Sequence, residues 1–289
     1  MALPSKRNIG IFLFLCPAVL VFIVYFIFPI GFLLYTSMMK WDGIGQMTYT
    51  GFSNYVKLTD DPIFIKSVNN TLIWGAASIF IHIPLAILVA MILSRKVAGW
   101  RFFRTFFIIP NLISTVAVSM MWLFIYNGEF GLLNALLEGV GLSSWQRNWL
   151  GEMNSAYPAM IAHWIFYIGI FMLIFIAQIS TIDRSLYESS QIDGAGPISQ
   201  DWLITLPLLK PSIIVAILLA ITNTLKNFEA PFVMTGGGPV YQTMVLSVHI
   251  YKQTLNFVYG YANTLSIMLI LMGAVFIVVV RLIFKEEKE

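Results

Sequence analysis

The sequence ESSQIDGAGPISQDWLITLPLLKP, residues Glu188–Pro211, separates two long apolar runs. It holds the three carboxylates Glu188, Asp193 and Asp201, in a chain of 289 residues of which only 11% are Asp, Glu, Lys or Arg. A soluble domain contains about 25% charged residues, so this chain has too few charges to cover a surface exposed to water. A polar, glycine-containing segment between apolar runs is therefore expected to be a loop outside the bilayer of a membrane protein.

Six apolar segments around this loop are long enough to cross a bilayer, which takes about 20 helical residues. They are about residues 9–34, 68–93, 106–126, 157–179, 211–231 and 263–284. The chain is 58% hydrophobic, and its mean hydropathy is +0.82. The sequence thus predicts an all-α polytopic membrane protein with six transmembrane helices in a single domain, residues 1–289.

The first apolar segment follows two basic residues, Lys6 and Arg7, as the apolar core of a signal peptide does. It is longer than such a core, and Pro17 and Pro29 interrupt it. We therefore expect an uncleaved membrane anchor. The single cysteine, Cys16, lies in the same segment and cannot form a disulfide within the chain.

The basic residues are distributed unequally between the two sides of the predicted spans. The side with both termini has eleven Lys and Arg residues, and the other side has six. The eleven are Lys6, Arg7, Arg95, Lys96, Arg101, Arg104, Arg184, Lys210, Arg281, Lys285 and Lys288. Loops that stay in the cytoplasm contain an excess of Lys and Arg. We therefore predict cytoplasmic termini and a cytoplasmic location for the segment at residues 180–210, here called the polar loop.

The polar loop contains signals for the start and the end of helices. Asp183 can cap a helix that begins at the next residue. Gly194 can end that helix, because glycine adopts a left-handed backbone without steric penalty. Pro197 suits the first turn of a second short helix, which we expect to end before Leu206-Pro207.

Small residues leave the turn between these two helices nearly bare. They are Ser189, Ser190, Gly194, Ala195 and Gly196. A bare turn can enter a groove of another protein, and Glu188 offers a charge for pairing there. The alternative is a solvated loop that only connects two spans.

The spacing of residues in the polar loop resembles the cytoplasmic coupling loop of ATP-binding-cassette importer permeases. The family pattern begins with Glu and two small residues. Three residues then separate this group from a Gly, nine residues separate the Gly from an Ile, and one residue separates the Ile from a Leu-Pro pair. Glu188-Ser189-Ser190, Gly194, Ile204 and Leu206-Pro207 match it. Asp193-Gly194-Ala195 is the form typical of the carbohydrate branch, although the family usually has alanines at the positions of Ser189 and Ser190.

Other segments resemble the family in the same order along the chain. They are GFSNYVKLTDDPIFIKSVNNTL (51–72), FFRTFFIIPNLIS (102–114), FVMTGGGPVYQT (232–243) and YGYANTLS (259–266). The last segment departs from the family, which usually has Ala-Ser-Ala at the positions of Ala262-Asn263-Thr264.

The resemblance implies a type I importer permease in a bacterial inner membrane, forming half of a pathway for a sugar, in particular an oligosaccharide. A second homologous permease would form the other half, an ATPase dimer would dock on the polar loop, and an extracytoplasmic binding protein would deliver the sugar. ATP and Mg would bind to the ATPase, so no cofactor is expected on this chain. The ATPase-coupling residues would be Glu188, Ser189, Ser190, Asp193, Gly194, Ala195, Leu206 and Pro207.

Polar residues within the predicted spans are candidates for contact with the substrate. In the fifth span these are Asn223, Thr224 and Asn227. In the fourth span His163 and Tyr167 are four residues apart and share a helix face. By the resemblance, His163, Tyr167, Thr224 and Asn227 correspond to positions where a maltose permease of the family contacts its sugar.

Each of these residues also has an interpretation without a ligand. The asparagines can bond neighbouring helices, Lys226 can extend to lipid headgroups, and Trp164 can belong to an interfacial aromatic belt. His82, His163 and His249 are far apart in the sequence and on different elements, so no metal site is expected.

Other functions remain open at this point. Within the family, import of glycerol-3-phosphate or another polyol derivative is the alternative, for which we expect arginines in the cavity. An ion-coupled secondary transporter would need paired carboxylates near the middle of the membrane, and the spans have almost none. An enzyme is not expected, because the sequence lacks a phosphate-binding loop and the common nucleophile motifs.

Overall fold

The computed structural model describes residues 6–284, which are mostly helical, as expected for an all-α protein. In chain order the helices are α1 (6–37), α2 (Ser53–Asp60), α3 (Pro62–Ser94), α4 (Trp100–Leu112), α5 (Thr115–Ile125), α6 (Leu132–Gly139), α7 (Ala156–Ile179), α8 (Arg184–Ile192), α9 (Pro197–Leu208), α10 (Lys210–Leu225), α11 (Glu229–Thr235), α12 (Leu246–Leu255) and α13 (Tyr259–Ile283). Two short strands, β1 (Met39–Lys40) and β2 (Thr48–Tyr49), form an antiparallel hairpin between α1 and α2. Lys285 and Lys288, counted above as cytoplasmic cations, lie outside the described residues.

Four helices are long and apolar enough to cross a membrane without interruption. They are Phe14–Ser37 within α1, and α3, α7 and α13. The pairs α4–α5 and α9–α10 also pass this test, but they are bent by 103° and 67°. When each bent pair is counted as one span, the described residues contain up to six candidate spans, the number that the sequence predicts.

The prediction of a continuous third span at residues 106–126 is wrong. The chain leaves the helix at Ile113 and Ser114, which have extended ψ angles of 144° and 132°. Pro110, one turn earlier, has no backbone N–H to donate to the preceding turn, which weakens the helix at this point. A new helix, α5, then starts in a different direction.

The predicted end of the second loop helix is also wrong, since α9 continues through Leu206-Pro207 to Leu208. A π-helical turn at Asp201–Thr205 comes just before this proline. Pro207 then stands in the first turn of the helical segment that follows, where its missing N–H costs little. The 67° bend falls between α9 and α10 instead.

The predicted fifth span, residues 211–231, is interrupted as well. Helix α10 ends at Leu225, and α11 begins at Glu229. The hydroxyl of Ser247 donates a 2.6 Å hydrogen bond to the Asn227 carbonyl oxygen, whose partner in a continuous helix would be residue 231, a proline without a backbone N–H. Residues 226–228 therefore form a break that other parts of the chain stabilise.

The chain divides into two compact units. The first comprises α1, the hairpin, α2 and residues Ile250–Ile270. In its hairpin, the Asp42 carboxylate accepts hydrogen bonds from the backbone N–H groups of Ile44 and Gly45, at 3.0 and 2.6 Å. Asn263 and Thr264, which depart from the family pattern, bond the end of α1 through Thr36 and Ser37, at 2.7 and 3.1 Å.

The second unit comprises residues 62–249 and the rest of α13. Its apolar core lies where α3, α7 and α10 meet. Small side chains such as Ala86, Ala90, Ala216 and Ala220 are fully buried there. Small residues allow helix backbones to approach closely inside a membrane.

Candidate functional site

A cavity of about 450 Å³ lies among the helices of the second unit. Four departures from regular α-helix surround it. They are the π-helical turn Ser78–His82 in α3, the α4–α5 break, the 3₁₀ turn His163–Tyr167 in α7, and the break at residues 226–228. Irregular backbone at membrane depth is tolerated where it is enclosed by protein or lines a cavity, and the geometry here agrees with this rule.

Aromatic rings form one wall of the cavity. The His82 and Trp164 rings lie 4.5 Å apart, and the Trp74 and Trp164 rings lie 5.5 Å apart. His163 is edge-on to Trp74 at 6.4 Å. Trp74, His82 and His163 are all buried. This wall offers flat, apolar faces next to polar ring atoms.

Polar side chains form a second wall. Asn223 projects from the last turn of α10, Lys226 and Asn227 lie in the break, and Glu229 begins α11. Asn111 contributes from α4. The wall thus combines amides with one cation and one carboxylate.

Several buried polar atoms around the cavity have no hydrogen-bond partner in the described part of the chain. They are Trp74 Nε1, both ring nitrogens of His82, the Tyr167 hydroxyl and Asn227 Nδ2. Leaving a buried donor or acceptor unpaired costs about 1–3 kcal/mol, so such atoms usually have a partner from outside the chain. The arrangement is suited to a ligand with several hydroxyl groups and an apolar face.

Four of the five predicted substrate residues line this cavity: His163, Tyr167, Asn223 and Asn227. Thr224 does not. Its hydroxyl donates to the Ala220 carbonyl oxygen at 2.8 Å, and its methyl group lies against Gly75 of α3. Consecutive residues point about 100° apart around a helix, so Thr224 faces α3 and not the space that Asn223 faces.

Other lining residues were missed by the sequence analysis or given a different role. Trp74, His82 and Asn111 stand in apolar segments, where their only signal was a polar atom within a span. His82 and His163 line the same cavity, so their separation in the sequence did not mean separation in space. Lys226, expected to extend to lipid headgroups, lines the cavity, and Trp164 packs against His82 and Trp74.

The polar loop folds as a helical hairpin. Asp183 caps α8 by accepting a 3.0 Å hydrogen bond from the Ser185 N–H, which lowers the pKa of its carboxyl group. The helix ends before Gly194, whose φ of 84° is left-handed, and α9 starts at Pro197. These three predicted signals are confirmed.

Side-chain hydrogen bonds connect the two helices of this hairpin. The Gln200 amide donates to the Ser190 hydroxyl at 2.9 Å and to the Tyr187 carbonyl oxygen at 3.2 Å. The Tyr187 and Thr205 hydroxyl groups are 3.0 Å apart. Three side-chain contacts therefore connect the two helices of the hairpin.

The eight predicted coupling residues have different surroundings in the hairpin. Exposed side chains or backbone are found at Glu188, Ser189, Asp193, Gly194 and Pro207. Ala195 is half-buried, and Leu206 packs against the apolar core. Ser190 is half-buried and bonded to Gln200, so it has a structural role within the hairpin. The exposed corner of the hairpin is Glu188–Gly194.

Apolar helices long enough to cross a membrane, arranged around a polar cavity and joined by the helical hairpin of the polar loop, are typical of the class of membrane transport permeases. The family model described as binding-protein-dependent transport system inner membrane component matches residues 82–285. The chain belongs to this family, which confirms the resemblance seen in its sequence and its place in a membrane.

Two curated relatives match most of the chain. The probable ABC transporter permease protein YurN of Bacillus subtilis is 34% identical, with 99% of both chains covered. The sulfoquinovosyl glycerol transport system permease protein SmoG of Agrobacterium fabrum is 32% identical, with 89% of this chain and 84% of SmoG covered. Both relatives are transport permeases, which agrees with the expectation of a transport subunit.

A solved structure has the same fold. It is a bacterial alginate ABC transporter in complex with an alginate pentasaccharide-bound periplasmic protein. One of its chains matches with a TM-score of 0.82 and 24% identity, with 96% of this chain and 94% of that chain covered. The match confirms the type I importer permease fold.

Proposed function

We propose that this chain is one of two permease subunits of an ATP-driven importer, and that a sugar, in particular an oligosaccharide, passes through its cavity. The observation that supports a sugar is the set of unpartnered polar atoms beside aromatic rings. Hydroxyl groups of a sugar can pair with the Trp74 indole N–H and the Asn227 amide. The apolar face of a sugar ring can lie on Trp164, as in other ligand sites that combine aromatic walls with few polar groups.

The proposed importer needs further chains. Without a phosphate-binding loop of its own, this permease must obtain energy from a separate ATPase, which we place at the exposed corner Glu188–Gly194. ATP and Mg belong to that partner. A second permease completes the pathway, and a binding protein delivers the sugar from the side opposite the polar loop. The excess of Lys and Arg supports a cytoplasmic position for the polar loop and both termini.

The charges around the cavity favour a sugar over glycerol-3-phosphate. Its lining, which consists of described residues, includes the cation Lys226 and the carboxylate Glu229, and it has no arginine. Arginine is the residue that binds phosphate most specifically, through two parallel hydrogen bonds. A lone carboxylate also gives little support to an ion-coupled carrier, which would use paired carboxylates.

The test is uptake by vesicles that contain the purified permease pair and ATPase, with the binding protein outside. We expect accumulation of a sugar that stabilises the binding protein, and only with ATP on the ATPase side. Full accumulation driven by a proton or sodium gradient without ATP contradicts an ATP-driven importer. Uptake of a phosphate ester with no uptake of sugars contradicts the proposed substrate class.

A further inference from the structure

An ion pair connects the polar loop to the end of α3. One guanidinium nitrogen of Arg95, Nη2, lies 2.6 Å from the Asp201 carboxylate and 2.7 Å from the Pro197 carbonyl oxygen, to which it donates hydrogen bonds. Pro197 begins α9, Asp201 lies one turn later at the start of its π-helical turn, and Arg95 directly follows α3. Arg95 therefore connects two elements that are about a hundred residues apart in the chain.

Both elements that Arg95 connects extend to functional regions. The hydrogen bonds of Gln200 and Tyr187 join α9 to α8, so the exposed corner and the Arg95 contact belong to one hairpin. On the other side, α3 continues from Ser94 to His82 and Trp74 in the cavity wall. The distance from Ser94 to His82 along the helix is on the order of 20 Å at 1.5 Å per residue.

The covalent path from the hairpin to the cavity is different. It passes through the 67° bend between α9 and α10 to Asn223, in the second, polar wall. Without the Arg95 contact, a movement of the hairpin would reach α10 directly and α3 only through packing.

We propose that Arg95 and Asp201 are positioning residues that make α3 follow the hairpin, so that both cavity walls move when the hairpin is displaced. This inference rests on the proposed function, in which an ATPase docks on the hairpin; closure of that ATPase would displace the hairpin as a rigid body. The Arg95 and Asp201 side chains are 39% and 22% exposed. Because exposed ion pairs contribute little to folding stability, their main effect is expected on coupling.

Other charged groups lie near this ion pair. Lys96, Arg184 and Glu188 line the same 700 Å³ groove beside the hairpin. Lys96 directly follows Arg95 and is exposed, so it provides a matched control for a charge change at this place.

The test measures sugar uptake per ATP hydrolysed by the complete importer in vesicles. We expect Arg95→Glu and Asp201→Arg each to retain the bound ATPase and ATP hydrolysis, and to reduce uptake per ATP at least about fivefold. The double variant Arg95→Glu/Asp201→Arg should return to within about threefold of wild type, because the ion pair is restored in the opposite sense. Lys96→Glu should behave as wild type.

Unchanged uptake per ATP in both single variants, or no recovery in the double variant, overturns the proposal. If the single variants do not assemble, a second test uses the variant Arg95→Cys/Asp201→Cys, in which Cys16→Ser removes the native thiol. A bifunctional thiol reagent then links the two introduced cysteines. We expect transport to continue after the two thiols are linked. If the link blocks transport, residues 95 and 201 must separate during the transport cycle, and this result also overturns the proposal. A wild-type chain that does not bind an ATPase would instead refute the proposed function, so the two failures are distinguishable.

Discussion

The imidazole ring of His82 lies against the indole ring of Trp164, with 4.5 Å between the ring centroids and 30° between the ring planes. His82 belongs to a π-helical turn of α3, and Trp164 belongs to a 3₁₀ turn of α7. The two irregular turns thus meet at one aromatic contact in the cavity wall. A ligand ring on this wall would contact Trp164 next to the unpartnered nitrogens of His82.

Replacement of Trp164 by Ala should weaken uptake. Loss of its ring removes a stacking surface, and we expect the half-saturating concentration for delivered sugar to rise about threefold to tenfold. Transport kinetics in vesicles measure this change. Trp145→Ala, at an exposed tryptophan outside the cavity, is the matched control and should leave uptake unchanged. Equal effects of both replacements would contradict a role for Trp164 in the cavity.

Replacement of Asn227 by Ala should reduce sugar uptake more than assembly. The Asn227 amide nitrogen has no partner within the described chain, so its removal costs the folded protein little and costs a bound sugar about one hydrogen bond. One such bond corresponds to about a fivefold weaker interaction. Thr222→Ala, in the last turns of the preceding helix α10, is the control, since its hydroxyl bonds the Leu218 carbonyl oxygen and does not line the cavity. Identical uptake kinetics for Asn227→Ala and wild type, across candidate sugars, would remove Asn227 from the site.

The double variant Glu188→Lys/Gly194→Val should lose the ATPase while its membrane helices stay folded. A Cβ atom at Gly194 would meet no atom of another described residue within 4 Å, but the φ of 84° costs a non-glycine residue about 1–2 kcal/mol. The lysine reverses the charge at the exposed corner. Co-purification of the ATPase and the melting temperature of the permease separate binding from folding. Gly196→Ala is the control and should retain the ATPase, because the φ of −75° at this position suits a non-glycine residue. If the double variant still binds the ATPase, the ATPase does not dock at this corner.

The cap of α8 should depend on pH in a defined direction. The Ser185 N–H donates to the Asp183 carboxylate and lowers the pKa of this group below its ordinary value of 3.8. Because the folded-state pKa is the lower one, the cap is fully present above the ordinary value and is lost as pH falls through the folded-state value. Hydrogen exchange of the first turn of α8 should therefore show the same protection at about pH 7 and about pH 5, after correction for intrinsic rates.

Substitutions at Asp183 test the same cap at one pH. Asp183→Ala should increase exchange in the first turn of α8, and Asp183→Asn should not, because asparagine also caps helices well. Wild-type protection in Asp183→Ala would show that the cap has no effect on this helix.

Most of the architecture was predictable, because local rules determine it. Long apolar segments predicted the spans, and Asp183, Gly194 and Pro197 predicted the ends of the loop helices, since capping and left-handed backbone depend only on nearby residues. The bends were not predictable in the same way. The α4–α5 break comes three residues after Pro110, whereas α9 continues through Pro207. A proline can therefore precede a break or fit within a helix, depending on the turns around it.

The candidate site was predictable only in part. Asn223 and Asn227 were evident as amides within a span, whereas Trp74 looked like one more apolar residue of α3. Thr224 was equally polar in the sequence, but its helix rotation directs it to Gly75. Arg95 was evident only as one of several loop cations, and its contact with Asp201 connects parts of the chain that are distant in sequence.

The sequence by itself determined that this protein is a polytopic helical membrane protein with a helical polar loop, because hydrophobic length and capping residues act locally along the chain, and its resemblance to a known family added the role of a permease. Only the tertiary structure decided which polar residues share a cavity and which helix the loop contacts. Those relationships depend on where helices break and how they rotate against each other, and packing between distant segments determines both.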